Sequence, residues 1–489
     1  MYGDERLNPH HVLRYALTKE FVETFSFLKS SGIELPLTLV RDYHMHIRSF
    51  VDQNLSNWNL IRQLQKRHGL YTIGDVQRVL ERRPPVIEDL SQDSARDILV
   101  AQVQYIPFTL DRFPRSKVLT IAYSTRDEQM ADRHLSEFYR VFRVRREIEN
   151  AQPDRLKVAA LLKKLDPVLF RLQHHPVFST TEFRLWFRRL LISSVKLVHV
   201  LDRMILDYPV RVILCNVEAV NPGTTLSLLA ALYNLDFINA PTHVITNRNL
   251  IPTRATYHCA WGEYYRDWLE KRGIDPARII CTGNLRFEYE FHPASLDRNT
   301  LASQLDYPAE NFVVLFTSQP FSREVNEELA RWIEQAVIGN PVTVLIKPHP
   351  SDTTNYAPFT RTGSIMVVPE WAKLPDLLPN IDFLMTISSS TAIEGALRGK
   401  GLIVLQPALP YHYETNNNDI NAFLVRSRAG FVASSPQQLA RIISRLCHSE
   451  RWRKRLHMMT QAFLEKTIHK GVYSNPSGDI YQLIKNLLG

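Results

Sequence analysis

The chain has 489 residues, of which 45% are hydrophobic and 22% charged, and its formal net charge is +9. This composition is ordinary for a globular protein, and the length predicts two or three domains that each bury a core of their own. The positive charge indicates an anionic partner, which could be a nucleic acid, a membrane surface or a phosphorylated substrate.

Four cysteines are spread along the chain without a Cys-x-x-Cys pair, which argues against disulfides and structural zinc. The first residues lack the apolar core of a signal peptide, and no apolar run approaches the ~18–20 residues of a membrane span. We therefore expect a cytoplasmic protein, attached at most to the inner face of the membrane.

Residues 1–112 predict a helical accessory region. Asn8 and Pro9 form a typical helix cap and first-turn pair, and apolar residues follow at helical spacing until Gly32. Two prolines within 82–85 interrupt this pattern, so that a linker is expected there.

Residues 113–290 predict a first α/β domain, in which we place the acceptor. Short apolar runs at 118–123, 210–215 and 236–239 suit buried parallel strands. A long stretch rich in arginine and lysine, 132–206, predicts helix.

Residues 291–489 predict a second α/β domain, in which we place the nucleotide-sugar donor. Its expected strands are 312–317, 342–347, 365–368, 383–387 and 402–405, and its expected helices are 325–337, 374–378, 391–398 and 436–446. Alternating strands and helices predict a doubly wound parallel sheet in each domain, with ligands at the carboxyl ends of the strands. We expect two facing Rossmann-like domains, and the last helix could pack back on the first of them.

Four consecutive hydroxyl residues, Ser388, Ser389, Ser390 and Thr391, follow a predicted strand and open a predicted helix. Hydroxyls beside the free backbone N–H groups of a helix start are suited to holding a phosphate. A second interpretation stays open, because Thr391 and Glu394 also form the pattern of a capping box, in which Glu394 only satisfies the helix end.

Lys347 and His349 stand at the end of another predicted strand. Prolines on both sides of His349 fix its backbone, and both side chains suit a pyrophosphate whose charge grows as the nucleotide departs. A proline turn with an ordinary surface histidine is the alternative. Since this motif and the hydroxyl run end strands of one predicted sheet, we favour phosphate binding. Ser318, after the first strand of that sheet, is a further candidate phosphate contact.

The motifs 347–350, 388–394 and 399–404 together resemble the C-terminal domain of GT-B glycosyltransferases of bacterial capsule and lipooligosaccharide synthesis, including sialyltransferase-like and Kdo-transferase-like enzymes. The stretches 261–264 and 278–287 are similar to the interdomain segment of the same group and to UDP-N-acetylglucosamine 2-epimerases.

This resemblance implies a GT-B fold whose donor phosphates lie on His349 and on residues 388–391. It also implies that Glu394 holds the ribose hydroxyls, which a carboxylate can accept as a pair. The acceptor half departs from the pattern, because 240–244 stands where related enzymes often have a Gln-His-Gly-like turn.

A general base must come from the acceptor domain. We predict Glu218, just past a predicted strand, as this base beside His349 as the second catalytic residue, with His243 and Asp127 as alternatives. The sequence contains no Asp-x-Asp and no cluster with convincing metal-ligand spacing. We therefore expect no metal and no cofactor apart from the donor substrate.

The stretch 183–192 mixes aromatic residues with Arg184, Arg188 and Arg189. It could lie on an anionic membrane surface, where a lipid-linked acceptor would be found, or form a core-facing helix with a solvated basic edge.

The function expected from these residues and the resemblance is transfer of a sugar from a nucleotide donor to a cell-surface glycan or lipid-linked acceptor. The hydroxyl run in place of a glycine-rich loop favours a CMP-linked donor slightly over a UDP-linked one. A nucleotide-sugar 2-epimerase on the same scaffold is the alternative. A non-enzymatic protein that binds nucleic acid is disfavoured, because no recognised nucleic-acid-binding motif accompanies the charge.

Overall fold

The computed structural model describes residues 6–152, 155–290, 295–361, 363–409 and 423–489, with the side chains of residues 248 and 249 left out. These residues form two compact units. The N-terminal unit holds residues 6–260, 269–285 and 475–489, and the C-terminal unit holds residues 261–268 and 286–474. The last helix of the chain thus belongs to the N-terminal unit.

The N-terminal unit is built on a parallel sheet of seven strands in the order β5-β4-β3-β6-β7-β8-β9. A small antiparallel pair, β1 and β2, precedes it. The strands are β1 Lys29–Ser30, β2 Ile33–Glu34, β3 Ile98–Gln102, β4 Val118–Ala122, β5 Arg140–Arg143, β6 Val210–Cys215, β7 Asp236–Asn239, β8 Tyr257–Ala260 and β9 Ile279–Cys281.

The N-terminal unit also contains many helices. They are Pro9–Thr24, Leu35–Thr38, Val40–His46, Arg48–Gln53, Trp58–His68, Ile73–Leu80, Ile106–Arg112, Thr125–His134, Val144–Asn150, Arg155–Arg171, Thr181–Asp207, Gly223–Leu232, Asn247–Leu250 and Pro476–Leu488. Short 3-10 helices are Leu90–Gln92, Val103–Tyr105, Arg115–Lys117 and Pro276–Arg278. The helix Glu263–Glu270 crosses the boundary between the two units.

The first helix begins as predicted, because the Asn8 side chain accepts a hydrogen bond from the backbone N–H of His11 at 2.9 Å. Strands β4, β6 and β7 also lie where the apolar runs predict them. Two expectations are wrong. Strand β3 falls inside the range 1–112 that we expected to be helical, and β5 interrupts the range 132–206. The β5 strand is a partly exposed edge strand and so lacks the apolar run that marks a buried strand.

The C-terminal unit has a parallel sheet of six strands in the order β12-β11-β10-β13-β14-β15. Its strands are β10 Phe312–Thr317, β11 Val342–Lys347, β12 Ile365–Val367, β13 Phe383–Thr386, β14 Gly401–Leu405 and β15 Phe431–Ala433. Its helices are Leu285–Tyr289, Arg298–Leu305, Arg323–Val337, Leu374–Asn380, Thr391–Leu397, Pro436–His448 and Glu450–Thr467, with 3-10 helices Ala357–Phe359 and Gly471–Tyr473.

The predicted strands of this unit are confirmed to within a residue at either end, and β15 is an addition that the sequence did not predict. Val314 and Phe316 of β10, with Leu329 and Ile333 of the helix Arg323–Val337, belong to one buried core. The side chain of Ser435 caps the helix Pro436–His448. The fold class is therefore α/β with two parallel-sheet, Rossmann-like domains, as expected.

Each sheet has one point where the chain changes the direction in which it adds strands. In the C-terminal unit this point lies between β10 and β13, and in the N-terminal unit it lies between β3 and β6. Ligands of open parallel sheets bind outside the carboxyl ends of the strands at this switch point. Within the described residues, no helix is both long and apolar enough to cross a membrane.

Candidate functional site

The predicted phosphate-binding segments meet at the switch point of the C-terminal unit. Strands β10, β11 and β13 are neighbours in its sheet and end at Thr317, Lys347 and Thr386. The candidate residues follow directly after these ends, so one edge of the sheet carries all of them.

Two side-chain contacts bridge the switch point between β10 and β13. The backbone N–H of Ser388 donates to Gln319 Oε1 at 2.9 Å, and Gln319 Nε2 donates to Ser388 Oγ at 3.1 Å. The hydroxyl oxygens of Thr317 and Thr391 are 2.9 Å apart. The hydroxyl run is thereby fixed to the end of β10. Gln319 was not predicted, and its only signal was its place two residues after a strand.

His349 is held against the end of β10 by its own backbone. Its N–H donates to Ser318 Oγ at 2.9 Å, while its ring atom Nδ1 accepts the N–H of Ser351 at 3.1 Å. Because Nδ1 accepts this bond, the neutral imidazole carries its proton on Nε2. The side chain is exposed, and Nε2 is a hydrogen-bond donor available to an anion.

Ser318 has a different role from the predicted phosphate contact. Its hydroxyl accepts from the His349 N–H and donates to Asp352 Oδ2 at 2.5 Å. A serine hydroxyl has a single proton, so none is left to donate to a phosphate oxygen in this arrangement. Ser318 thus positions the His349 loop, and its contact with a phosphate stays a prediction.

Asp352 is the centre of this arrangement and was missed in the sequence. Besides Ser318, its carboxylate accepts from the Tyr356 hydroxyl at 2.8 Å, the Asn326 side chain at 3.1 Å and the Thr354 N–H at 2.9 Å. Partial burial raises the pKa of Asp352, but these hydrogen bonds, the one from Ser318 foremost, outweigh burial and hold the pKa below its usual value.

Lys347 is occupied by the backbone of a neighbouring loop. Its ammonium donates to the carbonyl of Ala372 at 2.9 Å and lies 3.5 Å from that of Pro369. Burial, assisted by the nearby charge of Lys373, lowers the pKa of Lys347. The lysine thus ties β11 to the loop after β12, and its contact with a phosphate stays a prediction.

The helix Thr391–Leu397 does not begin with the capping box that was the alternative for Glu394. Ser390 is its N-cap residue and makes no side-chain cap, while the Thr391 N–H donates to Ser389 Oγ at 3.2 Å. The capping interpretation is therefore wrong. Ser389 and Ser390 are half-buried beside this helix start.

The Glu394 carboxylate faces an arginine. Its Oε1 is buried, accepts no hydrogen bond from the described residues, and lies 3.4 Å from a terminal nitrogen of Arg286. Burial raises the pKa of Glu394, and the Arg286 charge opposes that rise. An acceptor without a hydrogen-bond donor is a costly arrangement unless a ligand supplies one.

Glu218 of the N-terminal unit is 0% exposed. One carboxylate oxygen accepts the backbone N–H of Arg254 at 2.6 Å, and the other accepts the hydroxyl of Thr253 at 2.5 Å. Burial raises its pKa. A general base must reach a substrate proton, which this carboxylate does not do. The structure corrects the prediction of Glu218 as the base and shows it holding the 253–254 segment.

The two alternative bases, Asp127 and His243, lie in different surroundings from Glu218. Asp127 caps the helix Thr125–His134, since its carboxylate accepts the N–H groups of Ser124 at 2.8 Å and Tyr123 at 3.1 Å. His243 is half-buried after β7. Asp127 lines a cavity at the ends of β3, β4 and β6, and its role as a base, like that of His243, stays a prediction.

A cavity of about 190 Å³ lies at the switch point of the N-terminal unit. Its polar lining includes Gln102, Tyr123, Asp127, Asn216 and Asn221. Gln102 accepts the N–H of Asn216 at 2.7 Å, which joins the ends of β3 and β6. Amide, phenol and carboxylate groups of this kind are suited to a ligand rich in hydroxyls. The sequence does not predict this cavity because it does not predict β3.

The 183–192 stretch forms part of the helix Thr181–Asp207, and some of its apolar side chains face the core, whereas Leu185 is 63% exposed. Phe183, Phe187 and Leu191 are buried, and the ring of Trp186 stacks on His46 at 4.5 Å. The core-facing interpretation is confirmed for these apolar residues.

Within the parts of the chain that the structure describes, no three His, Cys, Asp or Glu residues are grouped to hold a metal ion. The metal independence expected from the sequence stays a prediction. From the sequence, the stretch 406–413 after a predicted strand is a candidate contact with the donor sugar, and its residues 410–413 lie outside the described residues.

No family model and no curated protein matches the sequence. Among solved structures, the chain is similar in fold to Anabaena Alr3699/HepE in complex with UDP, at 13% identity over 80% of this chain and 99% of that one, with a TM-score of 0.49. It is also similar in fold to a glycosyltransferase from Rickettsia africae ESF-5, at 14% identity over 80% of this chain and 99% of that one, with a TM-score of 0.48. A third similar structure is UDP-GlcNAc 2-epimerase from Neisseria meningitidis bound to UDP-GlcNAc, at 13% identity over 80% of this chain and 99% of that one, with a TM-score of 0.47. A likeness this distant shows a similar fold and assigns no function.

Proposed function

We propose that the protein is a glycosyltransferase of GT-B type that binds a nucleotide-sugar donor at the switch point of its C-terminal unit. The observation that supports the proposal is a set of hydrogen bonds between three strand ends. Ser318 joins the end of β10 to the His349 loop after β11, and Gln319 joins the end of β10 to Ser388 after β13. These contacts gather an imidazole donor and a hydroxyl-rich helix start at the place where parallel sheets bind ligands.

The donor phosphates are the part of the ligand that this chemistry fits best. His349 offers Nε2–H, and Ser389 and Ser390 offer hydroxyls beside the first N–H groups of a helix. Such donors stabilise the negative charge that develops on the phosphate as the sugar leaves. His349 accordingly takes the catalytic role of an electrostatic stabiliser of the departing nucleotide.

The ribose is the second part of the proposal. Glu394 has a buried oxygen without a hydrogen-bond donor among the described residues. The nearby Arg286 favours the ionised carboxylate, which accepts hydrogen bonds from hydroxyls strongly. We therefore propose that Glu394 binds the ribose hydroxyls. As the donor, we favour a CMP-linked sugar slightly over a UDP-linked one.

The acceptor is proposed to be a hydroxyl-rich glycan bound by the N-terminal unit, such as a glycan of a capsule or another cell-surface polysaccharide. The amide-lined cavity at the switch point of that unit carries this part. Glu218 is enclosed, so of the predicted bases Asp127, which lines this cavity, and His243 remain as proposals.

A nucleotide screen tests the proposal. Melting temperatures are measured with CMP, UDP, GDP and CDP, and a nucleotide at about 100 times its Kd stabilises the folded protein by about 2.7 kcal/mol. The matching nucleotide sugar is then incubated with and without glycan acceptors. Nucleotide release that depends on an acceptor supports a transferase, whereas conversion of the nucleotide sugar alone identifies an epimerase. If none of the four nucleotides binds, the proposal fails.

A further inference from the structure

The helix Arg155–Arg171 of the N-terminal unit has two unlike faces. Leu161, Leu165 and Leu169, spaced by four residues, are buried and form its inner face. The outer face carries Leu156, which is 84% exposed, and Phe170, which is 73% exposed. Large apolar side chains this exposed at both ends of one helix indicate a surface that is covered in use.

The outer face is also basic. Lys163 lies seven residues from both Leu156 and Phe170, so the three side chains follow one row along the helix. The basic residues of the helix are Arg155, Lys157, Lys163, Lys164 and Arg171. Its single acidic residue, Asp166, is engaged by Arg188 at 2.6 Å.

We propose that this outer face docks on an anionic lipid surface. Lipid headgroups would meet the lysine and arginine side chains, while Leu156 and Phe170 enter the boundary with the acyl chains. A nucleic acid would satisfy the charge and leave both apolar side chains in water. The proposal moves the membrane contact from 183–192, where Phe183 and Phe187 are buried, to the preceding helix. It is independent of the nucleotide site in the other unit.

The test compares two double variants of the full chain. Lys163→Glu with Phe170→Ser changes the proposed surface. Arg331→Glu with Ile338→Ser is the matched control, because Ile338 is 70% exposed, Arg331 is exposed, and the same seven residues separate them on the C-terminal unit. All four positions are exposed, so both variants are expected to fold.

Binding is measured by co-sedimentation with vesicles of phosphatidylcholine alone and of phosphatidylcholine with one-third phosphatidylglycerol. We expect binding to the anionic vesicles only, weakened by salt. Loss of a lysine contact alone weakens such binding about fivefold, so the Lys163/Phe170 variant should bind at least about tenfold more weakly. The control variant should bind like the parent.

Equal binding of parent and Lys163/Phe170 variant, or no binding of the parent to anionic vesicles, overturns the proposal. Two further measurements identify another occupant. Sedimentation velocity would reveal a dimer that the variant disrupts, and anisotropy with single-stranded DNA would reveal a nucleic-acid surface. Either effect without vesicle binding also overturns the proposal.

Discussion

Replacing Asp352 by asparagine tests whether the hydrogen bonds under the His349 loop prepare the site. Asparagine keeps the shape of the side chain and one acceptor oxygen. Its NH₂ group replaces Oδ2 more readily than Oδ1, because Oδ1 accepts from N–H groups of Asn326 and Thr354, which cannot become acceptors. The Ser318 and Tyr356 hydroxyls, which can rotate, both donate to Oδ2 at 2.5 Å and 2.8 Å. At least one of these bonds must be lost or reversed.

The expected cost follows from these contacts. A hydrogen bond to a charged group contributes about 1.5–3 kcal/mol, and the rotatable hydroxyls can recover part of a second bond. We expect Asp352→Asn to lower the free energy of unfolding by about 1.5–3 kcal/mol. Nucleotide affinity should also fall, because the Ser318 hydroxyl loses the acceptor that directs its lone pairs towards the His349 N–H.

The pH dependence of the free energy of unfolding supplies a second measurement, and the lowered pKa of Asp352 fixes the direction of the expected change. Asp352 has a lowered pKa in the folded protein, so its contribution to stability is present above the ordinary aspartate pKa of about 3.9. This contribution disappears as the pH falls through the lowered value. The difference in stability between parent and variant should be constant above about pH 5 and shrink below about pH 4.

Asp376→Asn is the matched control. Asp376 also has a lowered pKa and accepts two hydrogen bonds, both from Ser295, at 2.8 Å and 2.6 Å. It lies on the helix that leads into the amino end of β13, away from the strand ends of the site. Melting temperature and nucleotide titration are measured for both variants. If Asp352→Asn binds nucleotide as well as Asp376→Asn does, the positioning role is refuted.

Three further predictions concern Glu394, Glu218 and the need for a metal ion. Glu394→Gln should melt close to the parent, since no capping box is present, but bind nucleotide about ten- to a hundredfold more weakly; unchanged affinity would remove the ribose role. Glu218→Gln should lower stability by about 1.5–3 kcal/mol with unchanged nucleotide affinity, and a stable variant without turnover would restore Glu218 as the base. Turnover should persist in excess EDTA, and a loss that magnesium restores would show that a metal neutralises the phosphates.

Much of the C-terminal unit could be predicted from the sequence because its strands are buried on both faces. Strands β10, β11 and β13 are continuous apolar runs, and such runs mark parallel strands clearly. The position of His349 and the hydroxyl run at one edge followed from the topology of a parallel sheet. The hydrogen bonds of these residues could not be predicted in this way, since their partners Gln319 and Asp352 lie in loops that carry no periodic pattern.

The N-terminal unit was harder to predict. The β3 strand is five residues long and follows an extended loop region, so it does not stand out from the helical segments around it. Glu218 illustrates a second limit. Its place after β6 matched a catalytic position, but whether a carboxylate points to a substrate or into the core depends on contacts with Thr253 and Arg254, far away in sequence.

Titration of the His349→Ala variant with the nucleotide found in the screen tests the central claim most directly. Removing the Nε2–H donor should weaken nucleotide binding by about ten- to a hundredfold, because a hydrogen bond to the charged phosphate is lost. His448→Ala, at an exposed histidine on the same unit, should bind like the parent and serves as the control. Equal affinity of the His349→Ala variant and the parent would contradict the assignment of the nucleotide phosphate to this site.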